Sequence, residues 1–74
     1  MHSRQDVAIA VGRHVRPIAR DNLGAFVRGD GDLFINYDWV RDWGQFGRLL
    51  EAMDLGFRDG SHGIEIIGEK DEHS

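Results

Sequence analysis

The chain has 74 residues, no cysteine and a formal net charge of −4 at pH 7. This length allows one domain with one small core, and the lack of cysteine excludes disulfides and thiolate metal sites. No apolar run approaches the roughly 20 residues that a membrane-spanning helix needs. The first residues also lack the basic and apolar segments of a secretion signal, so we expect a cytoplasmic protein.

Residues 3–16 are predicted to form a helix, which Pro17 prevents from extending further. Ser3 and Asp6 have the spacing of a capping box, in which side-chain oxygens bind the exposed amides of the first turn. Apolar residues then recur at helical intervals: Val7, Val11, Val15 and Ile18. A strand is the alternative, because the apolar residues of segment 7–11 also alternate.

A β-hairpin is predicted over residues 23–37. The apolar segments 25–28 and 33–37 flank Asp30-Gly31, a pair that readily adopts the positive φ angles of hairpin turns. The two segments would form neighbouring antiparallel strands with one apolar face.

A second helix is predicted to begin at Asp38 or Asp42 and to end at Leu55. Asp42 and Gln45 again have the spacing of a capping box. The helix would carry an apolar stripe: Trp39, Trp43, Phe46, Leu50 and Met53. Gly56 is predicted to end the helix as its left-handed cap.

A turn at residues 59–61 and a short strand over residues 63–68 are predicted next, before a polar tail at 69–74 that we expect to fray. The predicted fold is therefore a single small α+β domain over residues 1–74, with the order α-β-β-α-β. It would contain about three mainly antiparallel strands, the hairpin and a C-terminal strand, with two helices packed on the sheet.

Charge is sorted along the chain. Residues 1–28 contain five arginines against Asp6 and Asp21, a balance of +3. Residues 29–74 contain eleven carboxylates against four basic residues, a balance of −7. Such asymmetry is typical of a molecule with two electrostatic faces, and it indicates a binding partner more strongly than a reaction.

The sequence contains no motif for catalysis, a cofactor or a metal. The acidic segment 30–38 is spaced like a calcium loop, but Ile35 and Arg41 occupy positions that require Gly and Glu. His62 and Glu65 lack the further ligands that zinc needs. Without a Cys nucleophile or a Ser-His-Asp pattern, and with little room for an enclosed pocket, the protein is predicted to be a non-enzyme without cofactor or metal.

We therefore predict a small acidic protein-interaction module, a regulator, inhibitor or accessory subunit of the kind that phages and plasmids encode. The predicted protein-binding residues combine aromatic anchors with an acidic face: Tyr37, Trp39, Trp43, Asp30, Asp32, Asp38 and Asp42. Packing of the two tryptophans in the core is the alternative role for these side chains.

Two other functions remain open. The first is nucleic-acid binding through an arginine face: Arg13, Arg16, Arg20 and Arg28. The acidic remainder and the lack of a known nucleic-acid-binding motif argue against it. The second is a homo-oligomeric structural subunit, in which the basic and acidic halves of neighbouring copies pair.

Overall fold

Residues 3–69 are described by the computed structural model, and this part of the chain contains three α-helices and a three-stranded antiparallel sheet. The helices are α1 (Arg4–Gly12), α2 (Arg20–Val27) and α3 (Trp43–Ala52). The strands are β1 (Leu33–Asn36), β2 (Leu55–Asp59) and β3 (Gly63–Glu69). Two 3-10 turns, Pro17–Ala19 and Tyr37–Trp39, precede α2 and follow β1. The α+β class is confirmed, but the order is α-α-β-α-β-β, with one helix more than predicted.

The central strand of the sheet is β3, which pairs antiparallel with β1 on one side and β2 on the other. The Gly60 amide donates to the Gly63 carbonyl at 2.9 Å and closes the β2–β3 hairpin. Gly63 must lack a side chain, because a Cβ there would collide with the Ile35 carbonyl oxygen. The predicted C-terminal strand is thus confirmed as β3. It includes residue 69 of the predicted tail, whereas residues 70–74 lie outside the described residues.

One apolar core lies between the sheet and the three helices. Its members are at most 8% exposed: Val7, Ala8, Val11, Val15, Ala19, Phe26, Leu33, Ile35, Phe46, Leu50, Leu55, Ile64 and Ile66. No polar or charged side chain among the described residues is buried, so hydrophobic burial alone forms this core. None of the three helices in residues 3–69 has the length and hydrophobicity of a transmembrane segment.

The first helix begins where the sequence predicts and ends earlier. Ser3 caps it, because its hydroxyl oxygen accepts a hydrogen bond from the Asp6 amide at 3.1 Å. The helix ends at Gly12 instead of Arg16. Arg16 is extended, with ψ at 158°, as the residue before a proline usually is. Ile18 is consequently 66% exposed and does not belong to the predicted buried stripe.

The predicted hairpin over residues 23–37 is wrong. Its first strand is in fact the second half of α2, whereas its second strand is β1. Gly29 and Gly31 have φ angles of +88° and +90°, so the turn needs its glycines. That turn joins a helix to a strand, and the hairpin of this fold is β2–β3.

Arg4 contacts the end of this helix and the turn that follows it. Its Nη1 atom donates to the carbonyl oxygens of Phe26 and Gly31, both at 2.8 Å. The guanidinium group also lies over the Phe26 ring, 4.5 Å from its centroid. Arg4 therefore connects the end of α2 with the following turn, and it adds to the hydrogen bond that the Phe26 carbonyl accepts from the Gly29 amide at 3.0 Å.

The third helix confirms the predicted N-terminal cap but ends earlier than predicted. The Oδ1 atom of Asp42 accepts a hydrogen bond from the Gln45 amide at 3.1 Å. The helix ends at Ala52, and Asp54 has the left-handed conformation (φ 55°) that was predicted for Gly56. Gly56 lies instead in β2, where it is buried.

Candidate functional site

An open groove of about 640 Å³ lies between α3 and β2. Trp43 and Leu50 of α3 line one side, and Phe57 of β2 lines the other. Gly47 leaves space between them, since no atom lies within 4 Å of the position that a Cβ would occupy. Trp43 is 49% exposed and Phe57 is 46% exposed, so two large aromatic side chains present apolar surface to the same groove. We call this feature the aromatic groove.

Two neighbouring rings fix the indole of Trp43. The Tyr37 ring contacts it edge-on with the centroids 5.3 Å apart, and the Phe46 ring lies 5.7 Å away. Phe46 is fully buried and so attaches the indole to the core. The Asp42 cap begins α3 immediately before Trp43 and determines where this side chain leaves the backbone.

Phe57 is positioned by the sheet. It lies opposite the buried residue Ile66, which places it on the helix-facing side of β2. The register of β2 and β3 shifts between Gly56 and Phe57, which marks a bulge at this point. The helix α3 does not cover the ring, so Phe57 forms a wall of the groove instead of joining the core.

Charged groups border the aromatic groove. Glu51 and Asp59 provide two carboxylates and Arg48 one guanidinium, so the border has a net charge of −1. The Tyr37 hydroxyl lies 2.9 Å from both Asp59 Oδ1 and the Gly60 carbonyl oxygen. The hydrogen bond to Asp59 raises the pKa of Tyr37, and desolvation and the negative charge of Asp59 act in the same direction.

A second cavity, of about 290 Å³, lies where α1, α2 and the loop before α3 meet. Four arginines line it: Arg13, Arg16, Arg20 and Arg41. Gly12, Val15, Pro17 and Leu23 complete its walls. All four arginine side chains are exposed to solvent at its mouth. We call this feature the arginine pocket.

A short backbone ladder assembles the arginine pocket. Val15 and Val40 form an isolated antiparallel bridge between the loop after α1 and the loop before α3. On either side of that bridge, the Arg16 amide donates to the Trp39 carbonyl at 2.7 Å, and the Arg41 amide donates to the His14 carbonyl at 2.9 Å. These bonds bring Arg41 beside arginines that are far from it in the sequence.

The four guanidinium groups of the arginine pocket form no ion pair within residues 3–69. Arg20 also begins α2, and the N-terminus of a helix carries partial positive charge that opposes a cation there. Positive charge is therefore concentrated at this cavity, where the carboxylate of Asp21 follows Arg20 in the first turn of α2 but forms no ion pair with it. Such a site attracts anions and costs some stability when it is empty.

Arg28 does not line this pocket, although the predicted arginine face included it together with Arg13, Arg16 and Arg20. It follows the last residue of α2, at the opposite end from Arg20, and its Nε atom lies 3.6 Å from the Asp30 carboxylate. Its place in the pocket is taken by Arg41. The sequence contains no local pattern that connects Arg41 with Arg13.

The predicted aromatic anchors lie in two places. Trp43 lines the aromatic groove, and Tyr37 contacts the Trp43 ring without lining the groove itself. Trp39 lies outside α3 in the 3-10 turn, where it is partly buried and contacts the Phe34 ring edge-on at 6.3 Å. Phe57 is the exposed ring of the groove that the sequence analysis did not name.

The predicted acidic residues are exposed but do not form one cluster. Asp30 and Asp32 lie in the turn between α2 and β1. Asp42 caps α3, and Asp38 lies in the middle of the 3-10 turn, where its amide donates to the Asn36 side chain at 3.0 Å. These four residues thus have local roles in turns and in a helix cap.

Within residues 3–69, no three His, Asp or Glu side chains are close enough together to hold a metal ion. Comparison of the chain with protein-family models, with curated proteins and with solved structures finds no match. The two surfaces described above are therefore the basis on which function can be inferred.

Proposed function

We propose that the protein is a non-enzymatic interaction module that binds another protein through the aromatic groove. One observation carries this proposal. Trp43 and Phe57 are both about half exposed, and both line the same groove, in a chain that has few aromatic residues to spare from its core. Exposed apolar side chains that are scattered singly are ordinary, whereas two large rings on one concave surface indicate a binding site.

The shape and chemistry of the groove favour a protein over a small molecule. It is open to solvent along its length and has aromatic and aliphatic walls, which suits an inserted apolar side chain. Trp and Tyr dominate the energetics of protein interfaces because they bury much area with few rotatable bonds. Contacts with Tyr37 and Phe46 already restrict the Trp43 indole, so binding costs little further side-chain entropy.

The charges around the groove indicate which partner segment it fits. Glu51 and Asp59 outnumber Arg48 at the border, and the whole chain has a net charge of −4. A partner segment with an apolar side chain beside basic residues would suit this groove. The apolar side chain would contact the walls, and the basic residues would pair with the acidic border. The proposed partner is therefore a protein with such a segment on its surface.

Variants of the two exposed rings test this proposal. Trp43→Ser and Phe57→Ser remove the walls of the groove, and Ile67→Ser is the matched control. Ile67 is 45% exposed on the neighbouring strand β3 and does not line the groove. Each variant is first checked for native circular dichroism and then used to capture partners from the native host.

We expect one partner to be retained by the wild type and by the control and lost by both groove variants. With that partner purified, the affinity of Phe57→Ser should fall by about tenfold or more, the range of an interface hot spot. The Trp43 indole N–H resonance should shift on binding. Equal binding by all variants would refute the proposal. If the wild type instead formed a concentration-dependent dimer that Phe57→Ser abolished, the partner would be a second copy of this chain.

A further inference from the structure

We infer that the arginine pocket binds a compact ligand that carries phosphate groups, at a site separate from the aromatic groove. The pocket brings together Arg13, Arg16, Arg20 and Arg41 around one concave space. The charge of the pocket, its guanidinium groups and its size each favour such a ligand.

Charge selects phosphate over carboxylate. The four guanidinium groups have no carboxylate partner within the described part of the chain. A single carboxylate would neutralise one of them, whereas a phosphate monoester carries about −1.5 to −2 charges at neutral pH and offers three acceptor oxygens. A diphosphate carries more, and so matches a cluster of four positive charges better.

The use of arginine supports the same ligand. The planar guanidinium group donates two parallel N–H groups, which fit two oxygens of one phosphate. Val15, Pro17 and Leu23 form an apolar part of the wall, and contact with apolar surface strengthens an ion pair that would be weak in open water. The Val15–Val40 bridge holds the two loops in place, so the arginines are brought together before a ligand arrives.

The shape of the basic region favours a compact ligand over an extended nucleic-acid backbone. A volume of about 290 Å³ is at the small end of ligand sites, which usually measure about 300–1,000 Å³. The positive charge does not continue along α2, because Arg28 at the far end of that helix pairs with Asp30. A nucleic-acid strand needs a longer basic track than one cavity provides.

Calorimetry with inorganic pyrophosphate as the probe tests this inference. The wild type should bind it, and Arg13→Gln and Arg41→Gln should each weaken binding by about tenfold, the effect of losing one charge-assisted pair. Arg41→Lys should lose less, because it keeps the charge but not the paired donors. Arg58→Gln is the control, since Arg58 pairs with Glu65 at 3.5 Å on the sheet and should leave binding unchanged.

Three outcomes would overturn the inference. The first is no pyrophosphate binding by the wild type at low salt. The second is equal weakening by Arg58→Gln, which would indicate nonspecific attraction. The third is tighter binding of a single-stranded oligonucleotide with weakening by Arg28→Gln, which would indicate a nucleic-acid surface. Phe57→Ser should bind pyrophosphate normally, so this test does not depend on the proposed protein partner.

Discussion

The aromatic groove and the arginine pocket are positioned by different forces. The groove lies directly on the core, because the indole of Trp43 packs on Phe46, a fully buried ring. The pocket lies on loops that are held together by two backbone hydrogen bonds, the pair that forms the Val15–Val40 bridge. Packing can place an apolar surface, but guanidinium groups must stay near water, so backbone hydrogen bonds have to bring them together.

The largest expected effect comes from removing the Phe46 ring, which contacts Trp43 of the groove and belongs to the core. Phe46→Ala should cost about 3–5 kcal/mol of stability, the usual range for a buried phenyl ring. A chain this short has only a few kcal/mol to lose. We therefore expect the variant to be largely unfolded by circular dichroism and amide NMR dispersion, with both surfaces lost.

Phe57→Ala is the control for that experiment, since it removes a half-exposed ring and should leave the protein folded. If Phe46→Ala stayed folded and still bound pyrophosphate, Phe46 would not be a support that the two surfaces share.

Removal of a helix cap should have a smaller effect, and only one of the two caps should influence the groove. Asp42→Ala and Ser3→Ala each remove a helix cap and should each lower the free energy of unfolding by about 1 kcal/mol. Only Asp42→Ala should speed hydrogen exchange at the Gln45 amide and shift the Trp43 indole resonance, because Asp42 caps the turn that carries them. The same Trp43 shift in Ser3→Ala would contradict this local view of the groove.

The smallest expected effect concerns the pKa of the Tyr37 hydroxyl. The hydrogen bond to Asp59 raises the pKa of Tyr37, the only tyrosine of the chain. The stability from this bond is therefore complete below pH ~10, the ordinary value, and is lost as pH rises through the higher value. Ultraviolet titration should show a midpoint above the ordinary one, and Asp59→Asn should lower it. An unchanged midpoint in that variant would exclude Asp59 as the cause.

Several features of the fold were predictable because their signals are local. The caps at Ser3 and Asp42 use an amide three residues away, and both are present. The apolar stripe of α3 and the alternation of β3 likewise depend on residues within one element. The same locality allowed Trp43 to be named as a candidate anchor.

The errors arose where distant residues decide the structure. Residues 23–27 have an apolar pattern that suits a strand, but they form part of α2, whose end is contacted by the distant residue Arg4 through the Phe26 carbonyl oxygen and ring. Arg41 reaches the arginine pocket only through a bridge between two loops. Periodicity and capping patterns do not report such contacts, so the sequence analysis grouped Arg28 with the other three arginines, whereas Arg41 is the residue that lines the cavity with them.

The bridge between Val15 and Val40 has a consequence for the lifetime of the protein. It joins two distant parts of the chain, so the arginine pocket exists only in the native state, and a ligand there cannot bind the unfolded chain in the same way. By mass action, a ligand present at about 100 times its dissociation constant adds about 2.7 kcal/mol of stability. For so small a domain that is a large share of the total. A phosphate ligand at such a concentration would therefore lower the fraction of molecules that are unfolded and open to proteolysis.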